Sequence, residues 1–447
     1  MVTAYALTFG GLLLLGGRLA DLFGRRRIFL VGLGLFTVAS LLGGFATNQA
    51  TLIAARSLQG VGAAILSPAT LTILTVTFTD QRSRAKAFGV WSAVAAGGGA
   101  AGALFGGVLT QYLSWRWILF VNVPIGIALF AVARLRLHES RADGPRKRLD
   151  VAGAVTITGS LFLLVYAISH TDVVAWTATS TLVVLGASAV LLVAFVAIEA
   201  RVASHPLVPL RLFRVRSVTG ANLVMFCFGV GMFAMWFFLS LYLQQVLGYS
   251  PVVTGLTFLP QTLAIAVGAT LSGRLAPRLG PRNVLMLGAL LGSAGLFWLS
   301  FIQAGDTYWS GACEGGILAT FGMGLAFTPI ALLATGGVPH QDAGLASGLV
   351  NCSRQIGASV GLAALTTLAA SRTATLLEEG APALRSTGAA EALRVAMTAG
   401  YARAFLIASV VVLGGGLLGF IIPPPRTQAP GWGGAEADQA STPLALD

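Results

Sequence analysis

An all-α, polytopic membrane fold is predicted by three observations. Hydrophobic residues make up 56% of the 447 and charged residues only 10%, against about 25% charged in soluble domains. The apolar residues come in runs near the ~20 needed to cross a hydrocarbon core. The basic residues fall in short segments that alternate with those runs and favour one side. A water-soluble chain of this size could not hide so much apolar surface, so a soluble enzyme, a disordered protein and a nucleic-acid binder are excluded. The formal charge of +12 does not restore the nucleic-acid reading, because the arginines punctuate spans and build no basic domain.

Thirteen spans are predicted, and each is bounded by charge or turn residues. The first, 4–20, is short and runs into Arg18, Asp21 and Arg25–Arg27. Those arginines follow the apolar stretch, so it does not read as a cleavable signal peptide. The next spans are 28–46, then 51–76 with Arg56 inside it, then 86–112 behind Arg82, Arg84 and Lys86, then 116–135 ending in Arg134 and Arg136. A pair at 151–171 and 177–198 follows the basic run Arg146–Arg148. Beyond Arg201, Arg211, Arg214 and Arg216 comes 217–244, crowded with aromatics, then 253–273, which ends at Arg274, Arg278 and Arg282. The last four are 283–302, 311–337 with Glu314 near its start, 343–371 carrying Arg354, and 400–422. Segment 372–399 reads as a solvated surface loop, partly helical in pattern. The Pro-, Gly- and Ala-rich residues 423–447 read as a disordered tail.

If the Arg25–Arg27 loop is cytoplasmic, 21 basic residues lie on that side and 5 on the other. Such a bias orients the chain with its N-terminus outside and its C-terminus cytoplasmic. The cysteines Cys227, Cys313 and Cys352 lie in apolar runs without ligand spacing and read as small buried hydrophobes. His138, His170, His205 and His340 are scattered. No metal site, no cofactor and no lysine-bearing phosphate loop is expected, so ATP is not the energy source.

Several motifs stand out. The stretch Gly17-Arg18-Leu19-Ala20-Asp21-Leu22-Phe23-Gly24-Arg25-Arg26-Arg27 joins the first two spans. Gly17 permits close helix approach, Gly24 a tight turn, and Asp21 a cap or an ion pair with Arg25. A degenerate copy runs from Gly273-Arg274 through Pro277 and Arg278 to Gly280-Pro281-Arg282, as an internal repeat would leave. Arg56 lies within a span, with Gln59 at i+3 on the same face; a buried arginine requires a partner or water. Small residues recur at Gly98, Gly102, Gly106 and Gly107 and favour tight helix crossing. Arg354 is a second intramembrane cation. Glu314 could pair, protonate or face water. Trp236 and Phe237, with Asn222 and Asn351, are candidates for a substrate cavity, although core or lipid packing explains the aromatics equally well.

The Gly17–Arg27 stretch resembles the loop between spans two and three of the major facilitator superfamily. There, the aspartate and arginines latch a cytoplasmic gate, a role that falls here on Gly17, Asp21, Gly24, Arg25 and Arg26, with Gly273, Arg278 and Gly280 in the second copy. Pro277 stands where an acid would. The stretch Arg56-Ser57-Leu58-Gln59-Gly60-Val61-Gly62 is similar to the family's fourth-span motif, whose arginine is linked to proton coupling. The run from Gly98 to Gly107 resembles the antiporter motif, with Ala103 in place of its usual proline. Ser114-Trp115-Arg116-Trp117-Ile118, Asn122-Val123-Pro124-Ile125-Gly126, Gly344-Leu345-Ala346-Ser347-Gly348 and Arg354-Gln355-Ile356-Gly357 resemble the drug:proton antiporters with fourteen spans.

The resemblance implies two pseudo-symmetric helical bundles with two extra linker helices. The expected division is 1–135 for the first bundle, 136–216 for the linker region, 217–422 for the second bundle and 423–447 for the tail. It implies a proton-coupled exporter of amphiphilic drugs, antibiotics or metabolites in a bacterial plasma membrane. Its partners would be a small amphiphilic substrate, protons and membrane lipid; no nucleic acid is expected, and the chain reads as a monomer. Arg56, Gln59, Glu314 and Arg354 are its candidates for proton coupling. The thirteen spans lack a counterpart of the family's first, with its early aspartate; a start placed downstream and a shortened protein both account for that. A non-transporting remnant or regulator, and a dedicated metabolite exporter or importer, remain as alternatives.

Overall fold

The structure is a computed structural model. It describes residues 2–78, 80, 83, 87, 94, 98, 101–102, 104–140, 150–170, 174–203, 206–335, 338, 343–379 and 388–419. Among these residues all regular structure is helical, and eleven helices are long and apolar enough to cross a membrane. The helices are α1 (Val2–Phe23), α2 (Arg25–Gly44), α3 (Gln49–Thr77), α4 (Trp117–Phe120), α5 (Asn122–Arg136), α6 (Val151–His170) and α7 (Thr179–Ala197). They continue as α8 (Arg216–Leu241), α9 (Pro251–Thr257), α10 (Leu259–Leu279), α11 (Pro281–Leu299), α12 (Cys313–Thr335), α13 (Ala343–Glu379) and α14 (Ala389–Leu418).

Of the thirteen predicted spans, the first is the 22-residue α1, whose described apolar stretch is Ala4–Leu13. The fourth lies mostly outside the described residues, with 104–112 helical at its end. The tail 423–447 also lies outside them. The predicted loop 372–399 differs from expectation. Helix α13 continues to Glu379 and α14 begins at Ala389, because alanine, leucine and glutamate sustain helix beyond an apolar core.

Packing gathers the helices into two groups. In the first, α3 packs on both α1 and α2, and α2 on α5. In the second, α12 packs on α10 and α11, while α8 packs on α12, α13 and α14. The second group holds the largest apolar core, around Phe238, Leu239, Leu296, Met323 and Phe405. The groups meet where α1 lies against α13. Helix α6 wedges into that seam, and Leu7, Leu161, Val165, Ile168 and Ala363 form one buried cluster there. Thr367 Oγ1 on α13 donates to the Ile168 carbonyl of α6 at 3.1 Å.

Helix α7 lies outside α6. Ser160 Oγ donates to the Ser188 carbonyl and Ser188 Oγ to the Ser160 carbonyl, both at 2.8 Å, so the pair is tied reciprocally. Val183, Val190 and Val193 of α7 are exposed, as suits a helix whose outer face meets lipid.

Candidate functional site

Helix α3 starts with a capping box from Asn48 and Thr51, which fixes the register of Arg56 two turns on. The Arg56 guanidinium donates to Gln59 Oε1 at 2.7 Å. Gln59 Nε2 donates to Ser40 Oγ of α2 at 2.7 Å, and Ser40 Oγ donates to the Phe36 carbonyl at 2.7 Å. Gln59 is 2% exposed and Ser40 fully buried. The guanidinium also lies 5.3 Å from the centre of the Tyr5 ring, within cation–π range. This relay holds a half-buried cation with neutral groups alone among the described residues. Sequence reading found Arg56 and Gln59. It missed Ser40 and Tyr5, which only the packing of α1 and α2 on α3 brings in.

Arg354 of α13 is half-buried and makes no hydrogen bond or ion pair among the described residues. Its neighbour Ser353 donates to Asn222 Oδ1 at 2.8 Å, and Asn222 Nδ2 donates to the Val218 carbonyl at 2.8 Å. Asn222 is thereby a buried tie between α8 and α13. Asn351 is exposed one turn before Arg354's flank, as is Ser347. Gln355 is buried against α1, with Oε1 lacking a partner.

The remaining cavity and coupling candidates do not converge on Arg354. Glu314 is exposed in the first turn of α12, without an ion-pair partner among the described residues. Trp236 packs on Phe258 with ring centres 4.8 Å apart. Phe237 turns the other way, edge-on to Phe238, and lines an apolar cavity of about 400 Å³ with Leu241, Thr366, Thr373 and Tyr401. Adjacent helix positions diverge by about 100°, so these aromatics serve different flanks of α8.

At the junction of α1 and α2, Gly24 has φ 104° and N-caps α2. An acid absent from the sequence reading completes the turn. Glu139 Oε1 and Oε2 accept from the backbone N–H groups of Arg26 and Arg27, each at 3.1 Å. The Arg25 N–H donates to the Ser140 carbonyl at 2.9 Å, and the Arg26 guanidinium to the Arg134 carbonyl. The segment leaving α5 therefore seats on the N-terminus of α2, where a carboxylate is favoured by orphan N–H groups and the helix dipole. The available signal was an acid inside a strongly basic segment. The side chain of Asp21 lies outside the described residues.

The second copy keeps the turn: Gly280 has φ 82° and N-caps α11. Gly273 has open space at its Cβ position among the described residues, and Arg278 is exposed without a partner there. Gly17 makes only ordinary contact, with Pro68 3.5 Å from its Cβ position. The close approach occurs one residue earlier, where Gly16 meets the backbone of Ala64 and Ile65.

In the small-residue run the described contact falls on its last member. No described atom lies within 4 Å of the Cβ positions of Gly98, Gly102 and Gly106, whereas Gly107 abuts the Pro251 carbonyl. Gln111 Oε1 accepts from the Val252 N–H at 3.2 Å. The run's described crossing is therefore at Gly107, and it joins the first half of the chain to the second.

Residues 1–362 match the family described as the Major Facilitator Superfamily. The cephamycin export protein CmcT of Amycolatopsis lactamdurans is 44% identical over 83% of this chain and 77% of its own. The puromycin resistance protein pur8 of Streptomyces alboniger is 40% identical over 96% of this chain and 84% of its own. The crystal structure of an auto-inhibited POT family peptide transporter superposes with a TM-score of 0.62 at 19% identity, covering 96% of this chain and 89% of that one. With helical bundles of that fold and a family match across most of its length, the chain belongs to the major facilitator superfamily of membrane transporters and to no enzyme family.

Proposed function

We propose that this transporter exports amphiphilic drugs, antibiotics or related metabolites in exchange for protons, as one of the drug:proton antiporters with fourteen spans. The observation that carries the reading is Arg56, a cation held inside the first bundle by Gln59, Ser40 and Tyr5 with no carboxylate among the described residues. Such a cation stabilises negative charge brought near it and resists protonation of a neighbouring acid. Its influence on a proton-carrying carboxyl is the coupling step. The names of the relatives, an export protein and a resistance protein, support export.

Transport would proceed by alternating access between the bundles, 1–135 and 217–422, with 136–216 as linker. The charge bias supports a cytoplasmic C-terminus in the plasma membrane. The turn built by Gly24, Arg25, Arg26 and Glu139 would brace the cytoplasmic side. The contact of Gly107 and Gln111 with Pro251 and Val252 would close the outer side. Arg354, with Asn351 beside it, offers a charged wall to substrate. A carrier of one dedicated antibiotic is a second reading, favoured by the name of the similar cephamycin export protein.

The test is transport in inverted vesicles under an imposed pH gradient, with fluorescent amphiphiles and a panel of antibiotics. Substrate-dependent proton release is expected from the intact protein and its loss from Arg56→Gln. No proton release with any substrate would overturn the antiporter. Release with a single compound would replace the broad exporter by the dedicated one.

A further inference from the structure

Two carboxyl groups meet where the linker helices α6 and α7 end, on residues that the proposed transport site does not use. Asp150 immediately precedes α6 and is 9% exposed; Glu199 lies in the π-turn Ile198–Val202 that closes α7 and is 5% exposed. Each has one oxygen satisfied by backbone. Asp150 Oδ1 accepts from the Gly153 N–H at 2.7 Å, and Glu199 Oε2 accepts from the Val208 N–H at 3.2 Å. The other two oxygens, Asp150 Oδ2 and Glu199 Oε1, are buried and have no hydrogen-bond partner. Both converge over one backbone position: a Cβ on Gly153 would sit 2.5 Å from Asp150 Oδ2 and 2.9 Å from Glu199 Oε1. Glycine is what leaves this space open.

Among the described residues, no basic side chain donates to the pair's free oxygens. Arg201 on the π-turn, Arg211 and Arg214 on the 3₁₀ turn Leu210–Arg214, and Arg216 at the start of α8 are all exposed. None donates to the two orphaned oxygens. Two buried carboxylates aimed at each other, with no donor on their facing oxygens among the described residues, would repel strongly, and such pairs hold a proton between them. Protonating one oxygen supplies the missing donor, and the other becomes its acceptor; both orphaned atoms are satisfied by a single hydrogen ion.

We propose that Asp150 and Glu199 form a proton-binding site, separate from Arg56, in which one shared proton clasps the ends of the linker helices. The clasp also holds the chain that enters the second bundle, because Glu199 binds Val208 and the adjoining segment packs through Leu212 onto Val218 and Leu349. The site does not depend on the transport reading.

The sign follows from proton counting. The folded chain keeps a proton that the unfolded chain, with ordinary carboxyls, gives up at about pH 4, so stability falls as pH rises from there through the folded site's release of that proton. The test uses the full chain in detergent, in sodium-free buffer. Infrared spectra of the wild type at neutral pH should show a protonated carboxyl band that is lost in both Glu199→Gln and Asp150→Asn. The unfolding temperature of the wild type should drop several degrees with rising pH. Glu199→Gln, whose amide can donate to Asp150 in place of the proton, should be as stable and lack that drop. If Asp150→Asn does not fold, Glu199→Gln alone decides. A band unchanged by Glu199→Gln, a pH dependence shared by variant and wild type, or a stabilisation by added sodium that abolishes the band would each overturn the proposal.

Discussion

Glu139 shows how a single side chain can organise a loop that its arginines appear to own. Its two oxygens take the first free N–H groups of α2, and its position excludes any side chain at Gly24. Glu139→Gln is expected to cost about 1 kcal/mol of stability, mostly lost helix-end interaction, and the loss should shrink at high salt when unfolding is followed in detergent. Gln59 is the more severe case. Gln59→Leu removes the acceptor of Arg56 and the donor to Ser40 at once; Ser40 keeps its bond to the Phe36 carbonyl, and about 1–3 kcal/mol should be lost, mostly at the Arg56 guanidinium. The polar residues legible in the sequence were those that interrupt apolar runs, such as Arg56, Gln59 and Arg354. Ser40, Tyr5 and Glu139 were not legible, because serine and tyrosine are unremarkable in a span and Glu139 acts on a helix more than a hundred residues away in sequence.

At the scale of elements, the two glycine–arginine stretches share one backbone feature. Gly24 and Gly280 both take positive φ and both start a helix. Gly280→Ala should therefore destabilise by about 1–2 kcal/mol, the cost of a left-handed conformation with a Cβ, although open space surrounds it among the described residues. Of the glycines chosen for helix crossing, Gly107 meets a neighbouring backbone, while the close approach expected at Gly17 falls one residue earlier at Gly16. Periodicity identifies a small-residue face but not which member meets the partner, since that depends on helix rotation. The linker pair offers a cleaner test. Ser160→Ala and Ser188→Ala each break one of two reciprocal bonds; each should cost about 0.6 kcal/mol in a membrane setting. Their double variant should be less than additive, because removing one hydroxyl already loosens the other bond.

For the whole molecule, hydropathy and charge made the spans legible, while the joining of the halves was invisible to both. The seam depends on Gly10 and Gly11 of α1, whose missing side chains admit Gln355 of α13 and Thr158 of α6. Opposite contacts at Gly107 and Gln111 reach Pro251 and Val252. Gly107→Leu is expected to part these and raise the labelling rate of a cysteine placed at Gln111; an unchanged rate would show that the contact does not close the proposed outer side. Helix α6 has a further consequence. It touches both halves, yet with α7 it stands at the edge of the bundle, where apolar side chains such as Val155 and Tyr166 are exposed. Any rotation of one half against the other must slide along this strut, and lateral pressure from the acyl chains bears on it directly, so bilayer thickness becomes a mechanical input to the seam.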